Sequence, residues 1–226
     1  MKVQPPFSIL FLLIALPLLF MLFGLIFVGA ISMAFQKLGF SPILAIFLLF
    51  AVLFGSFINV PVWKIKGMQE RYTYDMSSFL PKQVKTISEG TTRVDINIGG
   101  AIIPLVVSIF LLSRLAVKLY PHLMFATIFM AAICYKLARP VQRTGIAMPA
   151  FIPPVLASLA GVILAPQNAA VVAFISGVVG VLVGADLMNI RKIGRIGAPA
   201  VSIGGAGTFD GIFLTGILSV MLVAIV

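Results

Sequence analysis

AAVVAFISGVVGVLVGADLMNI, residues 169–190, decides what kind of molecule this is. About 20 apolar residues rising 1.5 Å each cover a hydrocarbon core of ~30 Å, and this stretch has that length. Its one ionisable group before Arg191 is Asp186, near the far end. The same character recurs on both sides. A spanning helix must pair every backbone polar group internally, so apolar runs bounded by charge or proline mark the candidates. They fall at about 7–35, 40–62, 98–120, 121–138, 147–165, 169–190 and somewhere within 199–226. Pro166-Gln167-Asn168 ties the fifth and sixth runs into a tight hairpin, while Pro121, Pro140, Pro153 and Pro154 leave the ends of the fourth and fifth open. The first run is too long for the apolar part of a signal peptide and reads as an uncleaved helix.

Composition agrees. Of 226 residues, 61% are hydrophobic and 10% charged, whereas about a quarter of a soluble domain is charged. Disorder, collagen and coiled-coil architectures are excluded by the same numbers. The single cysteine, Cys134, allows no disulfide within the chain, and with His122 the only histidine no Cys/His metal site and no cofactor is expected. The expected fold is an all-α polytopic integral membrane protein of about seven transmembrane helices, one domain over residues 1–226.

Charge sets the orientation, because Lys and Arg collect on the cytoplasmic side. With seven spans, one face holds Lys2, the basic residues from Lys64 to Arg93, Lys136, Arg139, Arg143, Arg191, Lys192 and Arg195. The other holds Lys37, Arg114 and Lys118. The expectation is an N-terminus inside, a C-terminus outside, and a multi-pass protein of a cell membrane. Residues 63–94, polar and mixed in charge, read as a cytoplasmic loop. A net charge of +10 can signal nucleic acid, but here the cations sit in the connections of one face. No nucleic acid is expected, and the lipid bilayer is the expected partner.

Two of the six acidic residues, Asp186 and Asp210, fall in the last two apolar runs. A carboxylate in hydrocarbon costs on the order of 3 kcal/mol by insertion scales, so such a group usually faces a cavity, a partner or a pathway. Asp186 lies about one turn, roughly 6 Å, from the end of its helix. A final helix starting at Pro199 would put Asp210 about 16 Å deep, far from Asp186 in height. The glycines in Ser202-Ile203-Gly204-Gly205-Ala206-Gly207-Thr208 instead suit a loop. A helix starting at Thr208, with its hydroxyl as cap, brings Asp210 into the first turn, level with Asp186. Two carboxylates at one height on adjacent antiparallel helices can share a proton and a water, as aspartyl proteases require.

Gly184-Ala185-Asp186-Leu187 with Gly207-Thr208-Phe209-Asp210-Gly211-Ile212-Phe213 resembles the paired aspartates of the GxGD intramembrane proteases of the presenilin and signal-peptide-peptidase type. That resemblance implies Asp186 and Asp210 as the catalytic pair and a transmembrane peptide as substrate, with Gly204, Gly205, Gly207, Thr208 and Gly211 forming the substrate loop. Phe209 stands where that family's motif has a glycine, Ala185 replaces its tyrosine, and no Pro-Ala-Leu follows Asp210. The run Ser202 to Phe213 also resembles the signature of a prokaryotic polytopic membrane-protein family, a domain of unknown function, which implies relatives but no activity.

A second reading is a proton- or cation-coupled transporter of a small ion or solute. Ile98-Gly99-Gly100-Ala101 echoes Ile203-Gly204-Gly205-Ala206, and glycine-broken helix entries of this kind line transporter sites. Asn59, Asp95 and Asn97 would complete a polar centre beside them. A third reading is non-catalytic: Asp210 complements a helix N-terminus, Asp186 pairs with Arg191 or Lys192, and Gly177, Gly180 and Gly184 pack helices. No Lys-Ser/Thr follows the glycines to make a phosphate loop, and Ser108, Ser113, Ser158 and Ser176 lack a histidine to activate them.

Overall fold

The computed structural model describes residues 7–75, 82–141, 145–194 and 197–225. Lys2, Arg143 and Arg195, three of the cations behind the orientation, lie outside the described residues. The apolar runs each carry a helix. Helix α1 spans Phe7–Lys37. Helix α2, Pro42–Gly55, opens with Pro42 in the first turn and with the Ser41 hydroxyl accepting the Leu44 N–H, a signal that needs no tertiary support. It stops at Gly55, short of the expected residue 62.

The chain beyond α2 departs from the all-α expectation. Residues 63–94 are not a loop: β1 (Asn59–Asp75) and β2 (Lys82–Asn97) form a long antiparallel hairpin, in register from Asn59 opposite Asn97 to Asp75 opposite Lys82, with one bulge between Pro61 and Trp63. The cause is period-two alternation, as in Trp63-Lys64-Ile65-Lys66 and Arg93-Val94-Asp95-Ile96, which gives a strand one apolar face. Val94 and Thr92 are fully buried while Arg93 is exposed. The architecture is mostly helical with two small sheets.

Beyond the hairpin, a π-helical turn (Ile98–Ile102) leads into α3 (Ile103–Arg114), and α4 (Tyr120–Leu137) comes next. Two short strands, β3 (Arg139–Val141) and β4 (Gly145–Ala147), make a second sheet. Helix α5 (Ile152–Leu164) turns through a 3-10 segment at Pro166–Asn168 into α6 (Ala169–Val181), the tight hairpin expected from the sequence. Helix α6 runs on as a second π-helical turn, Leu182–Leu187, before the short α7 (Ile190–Ile193). Strand β5 (Ala200–Ile203) then pairs in parallel with β2, giving the order β1-β2-β5. A 3-10 turn (Gly207–Phe209) leads to the last helix, α8 (Gly211–Val223).

Among the described residues three helical stretches are long and apolar enough to cross a membrane: Phe11–Lys37, Val117–Leu137 and Pro166–Leu187. Four shorter apolar ones, Pro42–Gly55, Ile98–Arg114, Ile152–Leu164 and Gly211–Val223, accompany them. None of the apolar window of the first is buried inside the protein, against 22% of the second and 61% of the third. Helix α6 is therefore the centre of the bundle, packed by α4, α5 and α8, and α1 turns exposed Phe, Leu and Ile side chains outward. Those outward faces suit lipid and make this a membrane protein.

Small residues let the centre close. A Cβ on Gly177 would press on Thr215, on Gly180 against Met130, on Gly184 against the Ala131 carbonyl and on Gly216 against Val178 and Phe174. These are the small-residue approaches by which membrane helices gain van der Waals contact.

Candidate functional site

Asp186 and Asp210 reach the same place by different routes. Asp186 sits in the π-helical turn that ends α6. Such turns widen a helix by one residue and often mark functional positions. Asn189 holds this one: its side-chain amide donates to the carbonyls of Gly184 and Ala185, each at 3.0 Å, and Asn189 is fully buried. Those are carbonyls that a helix end leaves without partners. The sequence reading missed Asn189, although an asparagine three residues past a buried acid was a visible hint.

Asp210 is the cap of α8. Its Oδ1 accepts the Ile212 N–H at 2.9 Å, and the helix begins at Gly211, not at Thr208. Thr208 is buried in the preceding 3-10 turn and gives no cap. The reason is backbone geometry: Asp210 is extended at φ −71°, ψ 146°, the usual conformation of a cap, after Gly204 (φ +72°) and Gly207 (φ +62°) have reversed the chain. The glycine run is thus a turn, as its composition suggests. The Ala206 N–H also faces the Asp210 carboxylate.

Both carboxylates line one cavity of about 240 Å³, with Ile146, Ala147, Met148, Val181, Ala185, Ala206, Phe209 and Gly211 around them. Both are half-buried and near enough for their charges to interact. A second cavity of about 320 Å³ also touches both and continues along Ala200–Ala206, including Gly204 and Gly205, with Gly145 and Ile146 opposite. Strand β4 as a wall was not foreseen, because a three-residue strand carries no periodic signal. Gly207 is buried beneath, where a Cβ would strike Ser56.

The expected polar centre divides. Asn59 and Asn97 meet at the base of the hairpin: the Asn97 amide donates to Asn59 Oδ1 (3.0 Å) and to the Ser56 carbonyl (2.8 Å), while Asn97 Oδ1 accepts the Gly100 N–H (2.8 Å). Ser202 donates to Asn59 Oδ1 at 2.6 Å. Since Ser202 also lines the larger cavity, it joins this network to the aspartates. Asp95 is buried, lies opposite Ser202 in the β2–β5 pairing and is ion-paired to Arg93 at 2.8 Å. It lines neither cavity. Asn97→Ala is expected to lower stability by about 1–3 kcal/mol, since it strands the buried Gly100 N–H and takes a donor from the Ser56 carbonyl and from Asn59 Oδ1. Thermal unfolding of the detergent-purified protein measures this, and an unchanged midpoint would show that the network is incidental.

Among the described residues no group of three His, Cys, Asp or Glu side chains could hold a metal ion. Against known proteins, residues 53–222 match the family model described as "Protein of unknown function (DUF1614)". The chain belongs to this family. The DUF1614 match begins inside α2 and ends inside α8, so it contains the hairpin, both echoing glycine turns and both aspartates, and leaves α1 outside. It assigns DUF1614 no activity and lends no support to the GxGD resemblance. No curated protein and no solved structure matches the chain.

Proposed function

We propose that this DUF1614 protein is an intramembrane aspartyl endopeptidase with Asp186 and Asp210 as its catalytic pair. The observation that carries the reading is the shared cavity: two carboxylates, on the end of one helix and the start of another, face one space of about 240 Å³. That volume exceeds the ~30 Å³ a water molecule occupies, leaving room for water and a peptide carbonyl. One carboxylate takes a proton from the water as its oxygen bonds to the carbonyl carbon. The other gives its proton to the carbonyl oxygen. Collapse of the tetrahedral diol breaks the C–N bond: the protonated carboxyl gives its proton to the leaving amine while the other carboxylate takes the proton of a diol hydroxyl, so the pair ends with the one proton it began with. The two roles belong to the pair as a unit.

The larger cavity supports a peptide as substrate. It runs beside β5, an edge strand of its sheet among the described residues, and would lead whatever lies there to the carboxylates. With the four shorter helices also crossing, the chain would span seven times, N-terminus inside, with the hairpin on the cytoplasmic side. The test is cleavage of a transmembrane peptide in proteoliposomes by the wild-type chain and by Asp186→Asn and Asp210→Asn. Cleavage persisting in both variants would sink the reading.

The transporter reading rests on the echo of Ile98–Ala101 in Ile203–Ala206. In the structure these turns lie against each other: a Cβ on Gly100 would meet the Gly204 carbonyl, and one on Gly204 would meet Ala101. Their glycines are used in mutual packing, which favours the peptidase. Ion-dependent solute flux into vesicles, lost in Asp210→Asn, would reverse that preference.

A further inference from the structure

Helix α1 is held to the protein at one end. Ile31, Ala34, Phe35 and Leu38 are buried, whereas no residue from Phe11 to Ala30 is. An added Cβ on Gly24 or Gly29 would find nothing within 4 Å. Just ahead of the buried turns, Phe27 meets Phe209, with ring centroids 6.0 Å apart and planes at 20°. Phe209 precedes Asp210, lines the 240 Å³ cavity of the two carboxylates and is 69% exposed. One ring of the stack is thus a wall of that cavity. The other belongs to a helix turned towards lipid.

Depth tells what lies beyond this wall. Phe27 is about 15 Å of helical rise from Lys37 and about 24 Å from Phe11, inside a stretch long and apolar enough to cross a membrane. Hydrocarbon therefore surrounds the stack. The cavity suits what the hydrocarbon holds, because Asp186 and Asp210 are its only polar side chains among Ile146, Met148, Val181 and their neighbours. The wall is also easily parted. Gly29 lies between Phe27 and the buried turns, and glycine, after proline, weakens a helix interior most. Bending α1 there separates the rings and leaves α8 in place, since Ile212 and Phe213 at its start are buried.

We propose that the gap between α1 and the start of α8 is a lateral entrance through which an apolar segment passes from the bilayer to Asp186 and Asp210. The stack of Phe27 on Phe209 is its closed state. That the entering segment is a peptide to be cut rests on the peptidase reading; the entrance itself does not.

The full chain in liposomes is treated with dicyclohexylcarbodiimide, which reaches carboxyl groups from the bilayer, and separately with a water-soluble carbodiimide. Adducts at Asp186 and Asp210 are counted by peptide mass spectrometry. The lipid-soluble reagent should label the wild type. Phe27→Ala removes the stack and should raise that rate roughly two- to tenfold, the population shift that one aromatic pair carries. Phe27→Cys with Phe209→Cys, joined by a short bifunctional thiosulfonate, should lose the labelling and regain it on reduction; the native Cys134 is buried. The water-soluble reagent should react equally before and after joining, because the exposed Gly205 and Ala206 border the larger cavity on both aspartates. A joined protein labelled from lipid as fast as its reduced form, or a wild type not labelled from lipid, overturns the entrance. Equal loss of both reagents also overturns it, since one aqueous mouth would then serve both. Gated labelling in a protein that cuts no transmembrane peptide upholds the entrance and sinks the peptidase reading alone.

Discussion

Asparagine in place of either aspartate is expected to cut peptide cleavage by roughly 10²–10⁴-fold, the contribution of a positioned acid or base, while unfolding barely changes. Position 210 makes this sharp. Asn caps a helix as well as Asp does, so Asp210→Asn keeps an acceptor for the Ile212 N–H at 2.9 Å. It loses only the ability to exchange a proton. Asp210→Ala loses the cap as well and should cost about 1 kcal/mol. If Asp210 served the helix alone, the asparagine variant would match wild type in every assay and only the alanine variant would suffer. Asp186 caps nothing and needs no such separation: held in a turn that Asn189 fastens, it should tolerate the isosteric asparagine. Cleavage rates and unfolding midpoints on the same preparations decide between chemistry and capping, and full cleavage by both asparagine variants would end the peptidase reading.

How far the sequence anticipates this arrangement depends on the range of the interaction. Helices are local, and each apolar run holds one, with Ser41 and Pro42 fixing the start of α2 through bonds within four residues. The turn at Gly204–Gly207 is equally local, because positive φ at Gly204 and Gly207 needs glycine. The hairpin was readable in the alternation around Trp63 and Val94 but was hidden by its mixed charges, which resemble a solvated loop. Strand β5 was not readable at all. Four residues pair with Arg93–Ile96, more than a hundred positions away, and nothing within Ala200–Ile203 specifies that partner. The site obeys the same rule. The common height of Asp186 and Asp210 comes from counting helical rise, whereas the walls that make a cavity of it, β4 and Met148, depend on packing between distant elements.

That long-range packing yields the second large effect. Gly100→Ala is expected to destabilise the protein by about 3 kcal/mol or more, the upper part of the range for overpacking a closed interior. The added methyl would meet the Gly204 carbonyl oxygen, with the Gly204 carbonyl carbon at 2.9 Å and the Gly207 carbonyl oxygen at 3.0 Å. All three atoms are backbone. No side chain can rotate away, so the turn at Ile98–Ile102 must separate from the turn that carries Ala206 and Asp210. Cleavage should fall with stability, because Gly204 and Ala206 line the space beside the aspartates. Gly24→Ala and Gly29→Ala in α1 are the controls: nothing lies within 4 Å of either position. There the methyl should be neutral, or stabilising by up to about 1 kcal/mol through helix propensity. Thermal unfolding in detergent compares the three. A Gly100→Ala protein as stable as the α1 controls would mean that the two glycine turns are not in contact, and with that the turn that lines the cavity would lose its support from behind.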